Sequence, residues 1–473
     1  MSKKTMYKKF VLFSGIIGIG LVFSGCGSKT EKIADAEKKN PDTIILLDEG
    51  KEISMAILDT NGKTIKEFED ISYADAISEG KIRITQNGLY GAMDMSGNII
   101  VEPQYEGAAS NSAMEESLIY REKRAVFYKD GKYGYLDEKG EEIIPAKFQR
   151  AGLFRNGLAA VKEDDKWGYI DLNGEYVIEP MYDDANSFFA NVTEVKQNDE
   201  SLIINQNGEI KQRGISIPDS YRTEECQQEG LMVVYNENGK YGYMNVDGDL
   251  IVEPKFKEAY PFSDGVGLVN MAVSEGSAES YYGYIGTDGN YVIEPKYSNA
   301  RNFNDGYAYV NHSKEGNIEG FIDKQEKLVT PKDIDSSCFD GTFDEGLAYV
   351  WDETEGEEYI QPNGECVISL KNIEEQIGDL AYYQAWFKDG YAHIYGTGKS
   401  CLIDKEGNVV FGPTDVPVDT DYAGKTGLII SADDKDSGLK GVKNLDNEWV
   451  VEPDAYWEIF ILDKDDEIPD YTY

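Results

Sequence analysis

Histidine is almost missing from this chain. Its 473 residues hold two, His312 and His393. That scarcity narrows the chemistry, because histidine is the usual general base and the commonest metal ligand. His312 falls in the polar stretch NHSKEGN, which reads as a loop. His393 falls in the strand-like YAHIY, at a place that Tyr309 and Tyr349 hold in sister segments, so it reads as a packing residue. Cysteine is also sparse and never paired in sequence. Cys26, Cys226, Cys338, Cys366 and Cys401 form no C-x-x-C, which argues against a zinc ribbon, a redox pair and a disulfide framework. HExxH is absent, and beyond the leader so are GxSxG, the phosphate-binding P-loop and the dinucleotide-binding glycines after a strand. Positive charge is short as well. Lys and Arg number 46 against 88 Asp and Glu, a net charge of −42. Such a chain repels nucleic acid and anionic lipid. Aromatics, by contrast, reach 12%, with 33 tyrosines, which is not the composition of a disordered chain.

What is abundant is repetition. The clearest unit is residues 154–189, FRNGLAAVKEDDKWGYIDLNGEYVIEPMYDDANSFF. Phe154 and Gly157 lead into an apolar strand from Leu158 to Val161. A charged tip, Glu163 to Lys166, precedes a second strand from Trp167 to Asp171. A turn ending in Gly174 gives a third strand, Tyr176 to Ile178, which Glu179 and Pro180 are expected to end, since proline cannot donate to a ladder. Aligned on Gly168, further copies sit at Ala56, Gly91, Gly134, Ser201, Gly242, Gly283, Gly320, Glu358, Cys401 and Gly441. That makes about eleven units with a period of about 38 residues. The Gly before each first strand (Gly157, Gly230, Gly306, Gly346, Gly390) suits a positive φ. The D-x-x-G turns (Asp59, Asp94, Asp137, Asp171, Asp404, with Asn245 as a variant) suit a side-chain cap at the first place and a left-handed Gly at the last. None of them completes a calcium-binding loop.

The segment Lys166-Trp167-Gly168-Tyr169-Ile170-Asp171, with Gly174 and Glu179-Pro180 behind it, resembles the bacterial WG repeat. Tyr133-Gly134-Tyr135 and Tyr241-Gly242-Tyr243 are similar, with Tyr in place of Trp. The resemblance runs over roughly residues 44–461. It implies a surface or secreted repeat protein and offers no catalytic residues to carry over. Each unit can bury its apolar face only against its neighbours, so the reading is one all-β domain, a tandem array of three-stranded units. An open β-solenoid or superhelix is favoured over a β-propeller, because propellers usually have four strands a blade and four to eight blades. Short extra strands near Ala185 to Phe189 and Ala300 to Phe303 would be needed for a fourth.

Residues 1–25 read as a targeting segment. Lys3, Lys4, Lys8 and Lys9 precede an apolar run, Phe10 to Phe23, that is too short to span a bilayer. Ser24-Gly25-Cys26 resembles the lipobox of bacterial lipoproteins, with Phe23 where that motif prefers Leu. The resemblance implies lipidation of Cys26 and a lipid anchor on the extracytoplasmic face of the cell membrane, the acyl chains together giving a stable hold. Without residues 1–25, which carry four lysines and no acid, the charge is −46. Residues 26–43 then read as a polar spacer, 44–461 as the repeat domain and 462–473 as an acidic tail.

Candidate contact residues are the aromatics beside long tips between the first and second strands: Tyr281, Tyr282 and Trp351. The tips lengthen at Asn270 to Ser280, Asn311 to Ile318 and Ala432 to Lys440, and insertions in arrays gather on one face. A second candidate is the Glu of the Glu-Pro step: Glu102, Glu179, Glu253, Glu294 and Glu452. Stacked units would set these carboxylates in a column facing a cation or basic ligand; as solvated strand ends they need no ligand. Burial of Trp167 would make Trp167→Ala cost about 3–5 kcal/mol. The functional expectation is a binding module for a cell-envelope or extracellular protein or glycan, not an enzyme, with no cofactor, no metal and no nucleic acid. The alternatives are a carboxylate-based hydrolase on a propeller and a structural spacer.

Overall fold

The computed structural model describes residues 43–47, 55–107, 117–222, 229–313, 316–329, 342–352, 356–378, 387–395, 399–434, 438–456 and 458–462. Cys26, the leader, most of the spacer, Cys226, Cys338, Pro331 and residues 463–473 lie outside them.

The unit around Gly168 shows how sequence becomes sheet. Its four strands are Arg150–Ala151, Leu158–Glu163, Lys166–Asp171 and Tyr176–Tyr182, here strands a to d, paired antiparallel in chain order. Strand b reads as an unbroken apolar run because both its faces are covered. Ala159 and Val161 pack on the preceding unit, while Leu158 and Ala160 pack on the following one. A strand buried on both faces loses the alternation of a half-solvated one. Strand d, at the sheet edge, keeps it: Val177 and Glu179 are exposed and Ile178 is buried.

Two expectations about the unit are corrected. It has four strands, because the two-residue strand a pairs ahead of the Gly lead-in. Strand d does not stop at Glu179-Pro180 but runs on to Tyr182. Trp167 pairs with Tyr182 and Tyr169 with Ile178, so strand d bulges opposite Gly168. A Cβ on Gly168 would stand 2.5 Å from the Ile178 carbonyl oxygen and 2.7 Å from the Pro180 nitrogen. The missing side chain is what admits the proline bulge.

The open array is also overturned. The described residues form ten sheets, nine of four strands and one of six. In the six-stranded sheet, Tyr291–Ala300 pairs with Ser280–Gly286 through its first part and with Ala308–Ser313 through its last, and so joins two repeat units. The sheet holding the first unit takes its strand a from the other end of the chain. Thr43–Leu47 pairs with Glu458–Leu462, Thr43 opposite Leu462 and Leu47 opposite Glu458. The ring is therefore closed, a ten-bladed β-propeller.

The core follows the ring. Eleven apolar clusters each join consecutive units, and one of the eleven packs the last unit on the first through Ile44, Leu58, Val442 and Ile461. Gly174, the left-handed end of the D-x-x-G turn, lies against Ile144 of the preceding blade, and Gly62 of the first blade lies likewise against Val450 of the last. The closing seam repeats the contact made at the others. Closure covers the apolar sheet faces that an open array would expose at its two ends.

Candidate functional site

Antiparallel order fixes which connections share a face. All a–b and c–d turns emerge on one side of the ring and all b–c hairpins on the other. The a–b side is stitched together. Its turns put a non-glycine residue and then Gly at positive φ, as at Asn156 (φ 53) and Gly157 (φ 80), the pattern of a type I′ turn. The first residue of this turn pair, followed by Gly or, after Glu122, by Lys123, reaches the next blade. Glu122 accepts from Gly157 N at 2.8 Å, Asp264 from Gly306 N at 2.5 Å, Asp305 from Gly346 N at 2.7 Å and Glu345 from Gly390 N at 3.0 Å. A single side chain spans neighbouring a–b turns, so blades converge there and strand a lines the inner radius. The sequence reading explained the glycines and missed these acids. The recurring F-x-[DE]-G, seen at Phe262, Phe303, Phe343 and Phe387, was the signal.

The c–d turns use their polar residues internally. Asp171 Oδ1 accepts from Asn173 N and Glu175 N, each at 2.9 Å. Asn245 makes the same pair of bonds in its turn. A neutral amide serves as well as a carboxylate, so this position works as a cap rather than as a charge.

On the b–c side the candidates separate. Tyr282 is half-buried and its hydroxyl donates to Glu258 Oε2 at 2.9 Å; Tyr260 donates to the same oxygen at 3.3 Å. Burial first, then the nearby Tyr282 and Glu258, push the Tyr260 phenol up. Tyr281, partly exposed, donates to Glu279 at 2.5 Å. The hairpin tip is Val273 to Glu279, and Val273 is 51% exposed, an apolar side chain on the same hairpin as Tyr281 that the sequence reading missed. Trp351 lies in the strand Leu347–Asp352, and its side chain is outside what is described. Of the tip expected from Asn311 to Ile318, residues 311–313 and 316–318 are strand, since Ala308–Ser313 and Gly316–Ile322 pair there, and residues 314–315 lie outside the described residues. His312 is accordingly a strand residue.

The Glu-Pro glutamates are all exposed, each on a strand d: Glu102, Glu179, Glu253, Glu294 and Glu452. In a ring they stand on five units around the circumference rather than along a stack. Among the described residues no three His, Cys, Asp or Glu side chains gather closely enough to hold a metal ion. Glu452 differs from the rest in bordering a cavity of about 1060 Å³ at the closing seam.

Groups with unusual surroundings lie elsewhere. Glu194, in strand b at the place of Ala160, is 3% exposed. It accepts from Ile217 N at 3.1 Å and from Arg222 at 2.7 Å, tying down the a–b connection of the next blade. Asp344, at an a–b turn, is pushed up to about 6 by burial and by the neighbouring Glu345 and Asp305. His393 lies partly buried in Tyr391–Tyr395, and burial lowers its pKa. Cys401 is buried and its thiol is pushed up to about 11, as a small core residue in the glycine place should be.

Five stretches of the chain, residues 90–113, 133–167, 167–200, 241–271 and 282–314, match the family model described as the WG containing repeat. No curated protein matches by sequence. Among solved structures, the chain is similar to a eukaryotic initiation factor at 10% identity, over 83% of this chain and 100% of that one, with a TM-score of 0.39. It is similar to BamB from Moraxella catarrhalis at 13% identity, over 48% and 80%, with a TM-score of 0.25. A third likeness is the dihydro-heme d1 dehydrogenase NirN, at 12% identity over 80% and 73%, with a TM-score of 0.25.

Proposed function

We propose that this ring of WG-containing repeats is a lipid-anchored, extracytoplasmic binding module, which holds a cell-envelope or extracellular protein or glycan on the side of its b–c hairpins. The observation that carries the reading is how the repeat spends its residues. Glycines, capping Asp or Asn, buried tyrosines and inter-blade carboxylates all serve the ring itself. The b–c hairpins make none of the carboxylate bonds that stitch the a–b turns, and they vary from the two-residue tip at Asp164 and Asp165 to the seven residues from Val273 to Glu279. Loops on a rigid scaffold are where recognition is usually placed. The anchor rests on the basic, apolar and Ser24-Gly25-Cys26 sequence of the leader, and the partner's chemistry on the exposed Val273 and the partly exposed Tyr281.

The test is a pull-down from envelope fractions and isolated glycans, with the chain from residue 27 onward, with and without millimolar calcium. A variant with Val273 to Glu279 cut to a two-residue tip and Tyr281→Ala runs beside it. Retention of one partner by the parent and not by the variant supports the reading. Equal retention by both, or by neither, rejects it. A second reading, a carboxylate-based hydrolase, has Asp344 in its favour. It predicts turnover of a glycan that Asp344→Asn abolishes while the ring stays folded.

A further inference from the structure

Five units fill the seam to the next blade with one aromatic residue of strand d. Tyr105, Phe148, Tyr182, Phe256 and Tyr297 stand opposite Tyr90, Tyr133, Trp167, Tyr241 and Tyr282. All five are at most 3% exposed and belong to the cluster shared with the following unit. In two other units Arg213 pairs with Leu202 and Thr414 with Ser400 near this place. In the last unit the place falls to Asp454, opposite Lys440, at the seam that closes the ring. The first unit gives no compensation. Its Ala56 pairs directly with Glu67, without the proline bulge.

The cavity of about 1060 Å³ lies at that seam. Its floor includes the core residues Leu46 and Leu58, and its edge carries Glu67, Glu69, Glu452 and Asp454 with Tyr456. Among the described lining residues there is no lysine, arginine or histidine. We infer that this closing-seam cavity is a binding site for a small organic cation, an ammonium group carried on an apolar body.

Each part of that ligand answers an observation. The apolar floor rewards burial of a hydrocarbon body. The exposed Glu67, Glu69 and Glu452 at the mouth, with Asp454 opposite Lys440 behind them, on a protein of charge −42, favour a cation and concentrate it locally. They do not converge as metal ligands, since no three acids gather among the described residues. A diffuse charge held by field and by an aromatic neighbour such as Tyr456 suits ammonium better than a coordinated metal ion. Its described lining includes no residue of the Val273 to Glu279 hairpin, so the two tests are separate.

Calorimetric titration of the purified protein with hexyltrimethylammonium, and separately with 1-hexanol, tests this. Saturable binding of the ammonium, at least about tenfold tighter than the alcohol and weakened by salt, is expected of a carboxylate-edged site. The pair Glu67→Gln with Glu452→Gln, both on exposed side chains, should weaken it about tenfold without disturbing the fold. Asp454→Phe, which restores the aromatic filler, should abolish it. Absence of saturable ammonium binding overturns the proposal. So does equal binding of the alcohol, or ammonium affinity unchanged by the paired Gln substitutions.

Discussion

Tyr169 is the side chain on which the account of blade-to-blade adhesion can be tried hardest. It is fully buried, and its hydroxyl donates to the Asn186 carbonyl of the next unit at 2.7 Å. Its ring stands edge-on to Phe188 at 4.9 Å. Tyr135, Tyr243 and Tyr284 repeat both contacts, with Gly152, Tyr260 and Arg301 as acceptors and Phe154, Phe262 and Phe303 as ring partners. Tyr169→Phe keeps the ring and removes one hydrogen bond. The Asn186 carbonyl still accepts from Thr193 Oγ1 at 3.0 Å, so no acceptor is orphaned, and the cost should be about 0.5–1.5 kcal/mol. Tyr169→Ala removes the ring as well and should cost about 3–5 kcal/mol. Urea unfolding followed by near-ultraviolet circular dichroism would read both as shifts in midpoint. A Tyr169→Ala midpoint within error of the parent would refute the idea that these tyrosines staple the blades, whatever the Phe variant does.

Gly168→Ala should cost about 3 kcal/mol, because the new Cβ meets backbone that cannot move aside. Gly157→Ala, with φ +80 and nothing within 4 Å, should cost only the left-handed penalty of about 1–2 kcal/mol; the reverse order in urea would contradict this. Trp167 is half-buried, so Trp167→Ala should cost about 2 kcal/mol, below the range for a fully buried ring. Truncation before Glu458 removes the buried Ile459, Ile461 and Leu462 and should lose roughly 5–9 kcal/mol; unchanged melting would disprove closure. Burial raises the phenol pKa of Tyr169, Tyr243 and Tyr284. The fold therefore prefers the neutral phenol, so stability is full below the unfolded value of about 10 and drains as pH rises past it. Phenolate absorbance should appear together with unfolding; buried tyrosines titrating in a native ring would count against it.

The unit was legible because its special residues are chemical necessities. Each anchor lies in strand c of its unit, including the divergent Ala56, Ser201, Glu358, Cys401 and Gly441. The D-x-x-G turns form as their side chains require. Strand a was illegible because two residues such as Arg150 and Ala151 carry no periodicity. Pro180 misled because the residue that tolerates it, Gly168, is twelve positions away in sequence. Ring or open array is not a property of any one unit. It rests on the last five described residues, Glu458–Leu462, whose partners lie at the other end of the chain. The closing-seam cavity was hidden for the same reason, since Asp454 takes an aromatic's place only in register.

The central claim is closure, and the distance between spin labels at Thr64 and Glu458 tests it most directly. Both residues are exposed and belong to the same four-stranded sheet, at its opposite edges. Three strand spacings separate them across that sheet, so a closed ring predicts a backbone separation of about 20 Å. An open stack of eleven units, each about 10 Å from the next, would hold them on the order of 100 Å apart. A single short distance establishes the ring, and a long one contradicts it.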